Sequence, residues 1–64
     1  MRTEYDPEAN ALYVRFSDED VDHTEEVRPG IIMDFDARGH VVGIEMLDAK
    51  KILSEAALKS LAAA

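Results

Sequence analysis

Apolar and polar residues alternate with a period of two in three runs of this 64-residue chain, Ala11–Phe16, Ile31–Phe35 and Val41–Leu47. That period belongs to a β-strand with one face turned inward. Leu12, Val14 and Phe16 take one face of their run; Ala11, Tyr13 and Arg15 take the other. Ile31, Met33 and Phe35 separate in the same way from Ile32 and Asp34, and Val42, Ile44 and Met46 from Val41, Gly43, Glu45 and Leu47. Turn chemistry punctuates the runs. Asp6-Pro7-Glu8-Ala9-Asn10 combines a proline that presets φ with an asparagine that tolerates the left-handed region, and Arg28-Pro29-Gly30 makes a tight turn. Asp36-Ala37-Arg38-Gly39 closes a hairpin with Gly39 at a left-handed or bulge position. A short first strand over Arg2–Tyr5 and a weaker, more polar and bulged strand over Val21–Val27 complete the pattern, with Ser17–Asp20 as a polar loop.

The remaining segment is helical in character. Asp48 and Ser54 are both good N-caps, and Ile52, Leu53, Ala57, Leu58 and Leu61 form an apolar stripe at helical spacing. A single sheet needs a cover, and this segment is the only one available for it. The expected architecture is therefore α+β, an antiparallel β-meander of about four to five strands covered on one face by a C-terminal helix. It forms one domain over 1–64, with the meander over 2–47, the helix over 48–62 and a frayed tail at 62–64. Leu58 and Leu61 are expected over Leu12, Val14, Phe16, Met33, Ile44 and Met46.

One helix cannot cover two faces. The opposite face carries Tyr13, Arg15, Ile32, Asp34, Val41, Glu45 and Leu47, a half-apolar mixture and the candidate partner surface. Arg15 is placed to pair with Asp34 or Glu45 across strands. A chain this short buries only about 60% of the surface its unfolded form exposes. With no cysteine, disulfides are excluded, which leaves association, a homodimer or a bound partner, as the expected stabilising device. Fourteen acidic residues against seven basic ones give a formal net charge of −7. That charge repels nucleic acid and attracts a basic protein. The acidic run Asp18, Glu19, Asp20 and Asp22 is a second candidate patch, to be weighed against simple solvation of a loop. No apolar leader follows Arg2 and no run approaches the roughly 18 apolar residues of a membrane span, so a cytoplasmic protein without membrane contact is expected.

The residues offer little for catalysis or for a cofactor. His23, near Asp22, Glu25 and Glu26, lacks the three or four converging ligands of a metal site, and His40 reads as a turn residue. Asp34, Asp36, Gly39 and Glu45 match four positions of a calcium loop, but Arg38 puts a cation where Asp or Asn is needed and the flanks alternate as strands. Ser17, Ser54 and Ser60 are without a neighbouring histidine. Carboxylate pairs are available for acid–base work, but one thin layer gives them no deep pocket.

Three segments in order carry a family resemblance: Tyr5-Asp6-Pro7-Glu8-Ala9-Asn10-Ala11-Leu12-Tyr13-Val14-Arg15-Phe16, then Pro29-Gly30-Ile31-Ile32-Met33-Asp34-Phe35-Asp36, then Gly39-His40-Val41-Val42-Gly43-Ile44-Glu45-Met46-Leu47-Asp48-Ala49. Together they resemble a family of small bacterial proteins, the domain-of-unknown-function family numbered 2283, over about residues 2–50. The resemblance implies a compact β-meander with a helix and no established enzymatic activity. It also implies a candidate role, because some relatives look like antitoxin partners of small toxins. Two functions are carried forward. One is a non-catalytic protein-binding module, antitoxin-like towards a small basic toxin. The other is a free-standing homodimer, structural or ligand-sensing, in which the second face closes on itself about a two-fold axis.

Overall fold

The computed structural model describes residues 1–63. The described elements are β1 (Arg2–Asp6), β2 (Ala11–Arg15), β3 (His23–Arg28), β4 (Ile31–Phe35), β5 (Val41–Leu47), α1 (Ala49–Ile52) and α2 (Glu55–Ala63). All pairings are antiparallel, and the strands lie in the order β1-β2-β5-β4-β3. A β1–β2 hairpin is thus joined to a β3–β4–β5 meander through a β2–β5 pairing. This places the apolar strands at the centre and the polar β1 and β3 at the edges, the arrangement that leaves the fewest apolar side chains in water. The β2–β3 connection runs along one end of the sheet, past the β4–β5 turn, and Asp22 donates its N–H to the Phe35 carbonyl there at 2.7 Å.

The turns form for the local reasons their residues supply. Asp6 accepts the N–H groups of Glu8 and Ala9 at 3.0 and 3.2 Å and folds the first turn, in which Asn10 takes φ 55°. Gly30 sits at φ 83°, with the Leu47 carbonyl 3.2 Å from where a Cβ would stand. In the β4–β5 turn, buried Asp36 accepts the N–H groups of Arg38 and His40, each at 2.9 Å. The His40 and Arg38 bonds hold the Asp36 carboxyl below the usual carboxylate range, against the opposing effect of its desolvation. A carboxyl held low contributes stability that is present above its ordinary value and lost as the pH falls through the folded one. Asp36→Asn should therefore melt below the wild type at pH 7, and that difference should shrink as melting curves are taken below about pH 4.

Register aligns the side chains in rows across the sheet. On one face stand Tyr5, Leu12, Met46 and Ile31, then Thr3, Val14, Ile44, Met33 and Glu25. This face carries the core: Leu12 is 5% exposed and Val42 2%, while Val14, Ile31, Met33, Ile44 and Met46 are half-buried. The helices are the only described elements outside the sheet, and on them Leu53, Ala57, Leu58 and Leu61 are half-buried.

Several expectations are corrected. The single helix over 48–62 is two helices with a break at Leu53–Ser54, because Leu53 is extended (ψ 149°). Ser54 then caps the second, its Oγ accepting the Ala57 N–H at 3.1 Å. That second helix continues through Ala63; Ala64, part of the expected frayed tail, lies outside the described residues. Asp48 occupies the first N-cap position but makes no capping bond with its side chain. Asn10 supplies the acceptors instead, its carbonyl taking the Ala49 N–H and its Oδ1 the Lys50 N–H, both at 2.9 Å. Phe16, expected beneath the helix, is 45% exposed just past the end of β2. Ile52 of the expected stripe is also exposed, and β3 begins at His23 rather than Val21.

Among the described residues only Leu12, Val42 and Ala49 are buried apolar ones. The chain has an accessible surface of 4577 Å², against about 4,100 Å² for a monomer of this mass. Its radius of gyration is 12.2 Å, against about 10.7 Å for a globule of this length. The interior is thin, and much apolar surface is left outside it.

Candidate functional site

The face away from Leu12 and Val42 is built from two complete rows. The first runs Glu4, Tyr13, Glu45, Ile32, Glu26 across all five strands, so carboxylates alternate with an aromatic and an aliphatic side chain. Neighbouring strands are about 4.8 Å apart, so successive carboxylates of this row stand roughly 10 Å from one another. The second row runs Arg2, Arg15, Gly43, Asp34, Thr24. A shorter third row holds Asp6, Ala11 and Leu47.

The second row is tied together by hydrogen bonds. The Tyr13 hydroxyl donates to Asp34 Oδ2 at 2.8 Å, and the Thr24 hydroxyl donates to Asp34 Oδ1 at 2.7 Å. Arg15 Nη1 donates to the Tyr13 oxygen at 3.4 Å. Gly43 makes the crossing possible. A Cβ there would stand 3.0 Å from the Tyr13 hydroxyl, 3.3 Å from the Val14 carbonyl and 3.4 Å from Asp34 Oδ2. Gly43→Val should push Tyr13 off Asp34 and cost about 1–3 kcal/mol, as overpacking does. Denaturant curves of Gly43→Val, Tyr13→Phe and the double variant should show non-additivity, since both single changes remove the same bond.

Arg15 corrects another expectation. It forms no ion pair with Asp34 or Glu45; its Nε donates to the Ser17 carbonyl at 2.6 Å and its Nη2 to the Glu19 carbonyl. The Tyr13 hydrogen bond, aided by the nearby charges of Asp34 and Asp18, holds the guanidinium above its ordinary value against the opposing effect of desolvation. Arg15 thus binds the acidic loop to the rim of this face. Asp18, Glu19, Asp20 and Asp22 are all exposed, with Asp22 3.0 Å from His23 Nδ1.

Tyr13, Ile32 and Glu45 share the first row, Arg15 and Asp34 the second, and Leu47 the third. Val41 lies opposite Phe35 beyond a register shift, outside these rows. Glu4, Glu26, Thr24 and the role of Gly43 escaped the sequence reading. A glycine inside a strand pattern was the available signal, because it marks a place where other atoms approach closely.

Two depressions reach this side. One is lined by Glu4, Asp6, Ala11, Tyr13 and Glu45, another by Arg2, Arg15, Ser17 and Asp18. His23 stacks on Phe35 with ring centroids 5.0 Å apart and an 11° interplanar angle. Asp36, one of the calcium-pattern residues, is committed to its turn. Among the described residues no three His, Cys, Asp or Glu side chains are grouped to hold a metal, and no helix is long and apolar enough to cross a membrane.

Residues 2–50 match the family described as "Protein of unknown function (DUF2283)". The chain belongs to that family. The match spans β1 through the first residues of α1, so the two rows of the open face lie wholly within the DUF2283 segment. The family description assigns no activity. No curated protein and no solved structure matches the DUF2283 chain.

Proposed function

We propose that this DUF2283 chain is a non-catalytic protein-binding module whose open sheet face receives a small basic partner, in the manner of an antitoxin holding a toxin. The observation that carries this reading is the row Glu4–Tyr13–Glu45–Ile32–Glu26, acidic and apolar by turns, on the side of the sheet opposite buried Leu12 and Val42. The thin interior supports it, because a bound protein would remove apolar surface that the chain leaves exposed. Charge favours a basic partner over self-closure of the same face. A second copy laid on it would bring two sets of Glu4, Glu45 and Glu26 together, which costs association free energy.

The test is co-expression with the product of an adjacent reading frame that encodes a short basic protein, followed by co-purification and calorimetry. A complex is expected whose affinity falls with salt and drops about tenfold or more for Ile32→Lys/Glu45→Lys, a loss of the size that interface anchors carry. Absence of a complex at moderate salt, or affinity untouched by that double change in a folded chain, would contradict the reading.

A further inference from the structure

We infer that β1 is an interface with a second copy of this chain, formed edge to edge about a two-fold axis through Thr3. It does not rest on the partner proposed for the open face, with which it shares Glu4.

The sheet has two free edges, β1 and β3. They differ. The β3 edge is interrupted by a register irregularity between Glu26 and Arg28 and carries Glu25 and Glu26 side by side, the features that blunt an edge against further pairing. The β1 edge is regular: five consecutive residues, Arg2 to Asp6, pair with β2 without a shift. Its outer backbone groups therefore form an unbroken template for another antiparallel strand.

The charges of β1 are self-complementary without a like-charge pair in one register. An antiparallel pair about a two-fold axis normal to the sheet keeps each face with itself, so the axis must pass through a residue. Through Thr3 it sets Arg2 opposite Glu4 of the second copy, twice, and Thr3 opposite its own mate, both favourable cross-strand pairs. It also lays Met1, 90% exposed, opposite the second copy's half-buried Tyr5. Through Glu4 the axis would set Arg2 opposite Asp6 twice, but it would also place two glutamates against each other at the centre, an unfavourable pair.

Within one chain Arg2 is badly placed. Its direct cross-strand neighbour is Arg15, a like charge. Its ion pair with Glu4, 3.2 Å long, runs along its own strand between two largely exposed side chains. The second copy supplies an opposite charge on the vacant side and turns two exposed pairs into a four-member network. The result is a continuous ten-stranded sheet, twice the five strands of one chain, that also shields part of the excess surface.

Sedimentation of the full-length chain tests this. The wild type should run at twice the 7.1 kDa chain mass. Arg2→Glu and Glu4→Arg, folded by circular dichroism, should each dissociate about tenfold or more readily, because both symmetric pairs turn repulsive. An equimolar mixture of the two should recover the dimer mass, since opposite charges again meet at both positions. The double variant R2E/E4R should self-associate like the wild type, and it decides the matter if either single variant fails to fold. A wild type that stays at the mass of one chain, single variants that associate unchanged, or a folded double variant that stays monomeric would overturn the inference.

Discussion

Leu12→Ala should lower the stability of this chain by about 2–5 kcal/mol, the range for removing a buried leucine and leaving its cavity. Leu12 lies on the core face, between Tyr5 and Met46 in its row, and is 5% exposed. A chain of this length has about 3–10 kcal/mol in total. With only Leu12, Val42 and Ala49 as buried apolar residues among those described, few contacts exist to absorb the loss. The variant should be largely unfolded at 37 °C when alone, by denaturant titration and circular dichroism. Bound partner should restore it in proportion to concentration, because ligand binds only the folded state. A decrease under 1 kcal/mol would mean that Leu12 is not part of the core.

Asn10→Ala is the second large effect, and its size comes from two sources. Asn10 holds φ 55°, a left-handed conformation that costs alanine about 1 kcal/mol or more. Its side chain also donates to Asp48 Oδ1 and accepts the Lys50 N–H, each at 2.9 Å. These bonds clasp the β1–β2 turn to the start of α1, and losing such a cap costs about 1 kcal/mol. The sum, about 2–3 kcal/mol, should separate on comparison with Asn10→Gly. Glycine keeps the backbone and loses only the clasp, so it should cost about 1 kcal/mol. Equal losses in the two variants would show that the left-handed φ carries no weight.

Two of the three strands with apolar alternation were legible to the residue, and the third, Ala11–Phe16, runs one residue past β2. Ile31–Phe35 and Val41–Leu47 are β4 and β5 as read from period two. His23–Arg28 was less so, because HTEEVR has no apolar face to impose a register. The strand order was not drawn from the sequence, since the β2–β5 pairing spans a long separation that turn signals do not report. A physical cue existed: the polar strands should be edges and β5, the most apolar, should be central. Apart from Val41, displaced by a register shift, the members of each face followed from the same period, so Tyr13, Ile32 and Glu45 do lie in one row. The contacts made by those side chains did not follow. Arg15 reaches loop carbonyls rather than a carboxylate, because Gly43 leaves room for Tyr13 to claim Asp34 first. Asn10 was read as a turn residue, and its φ agrees. Its second role, capping a helix about forty positions later, depends on a tertiary meeting that no local pattern encodes.

Because the chain has no cysteine, single cysteines introduced at Leu12, Val42, Glu45 and Leu47 can be timed against a thiol reagent. Reaction should be fast at Glu45→Cys and Leu47→Cys and slower by orders of magnitude at Leu12→Cys and Val42→Cys. Comparable rates at all four positions, or a slow Leu47 beside a fast Val42, would contradict a core that lies on the Leu12 and Val42 side of the sheet.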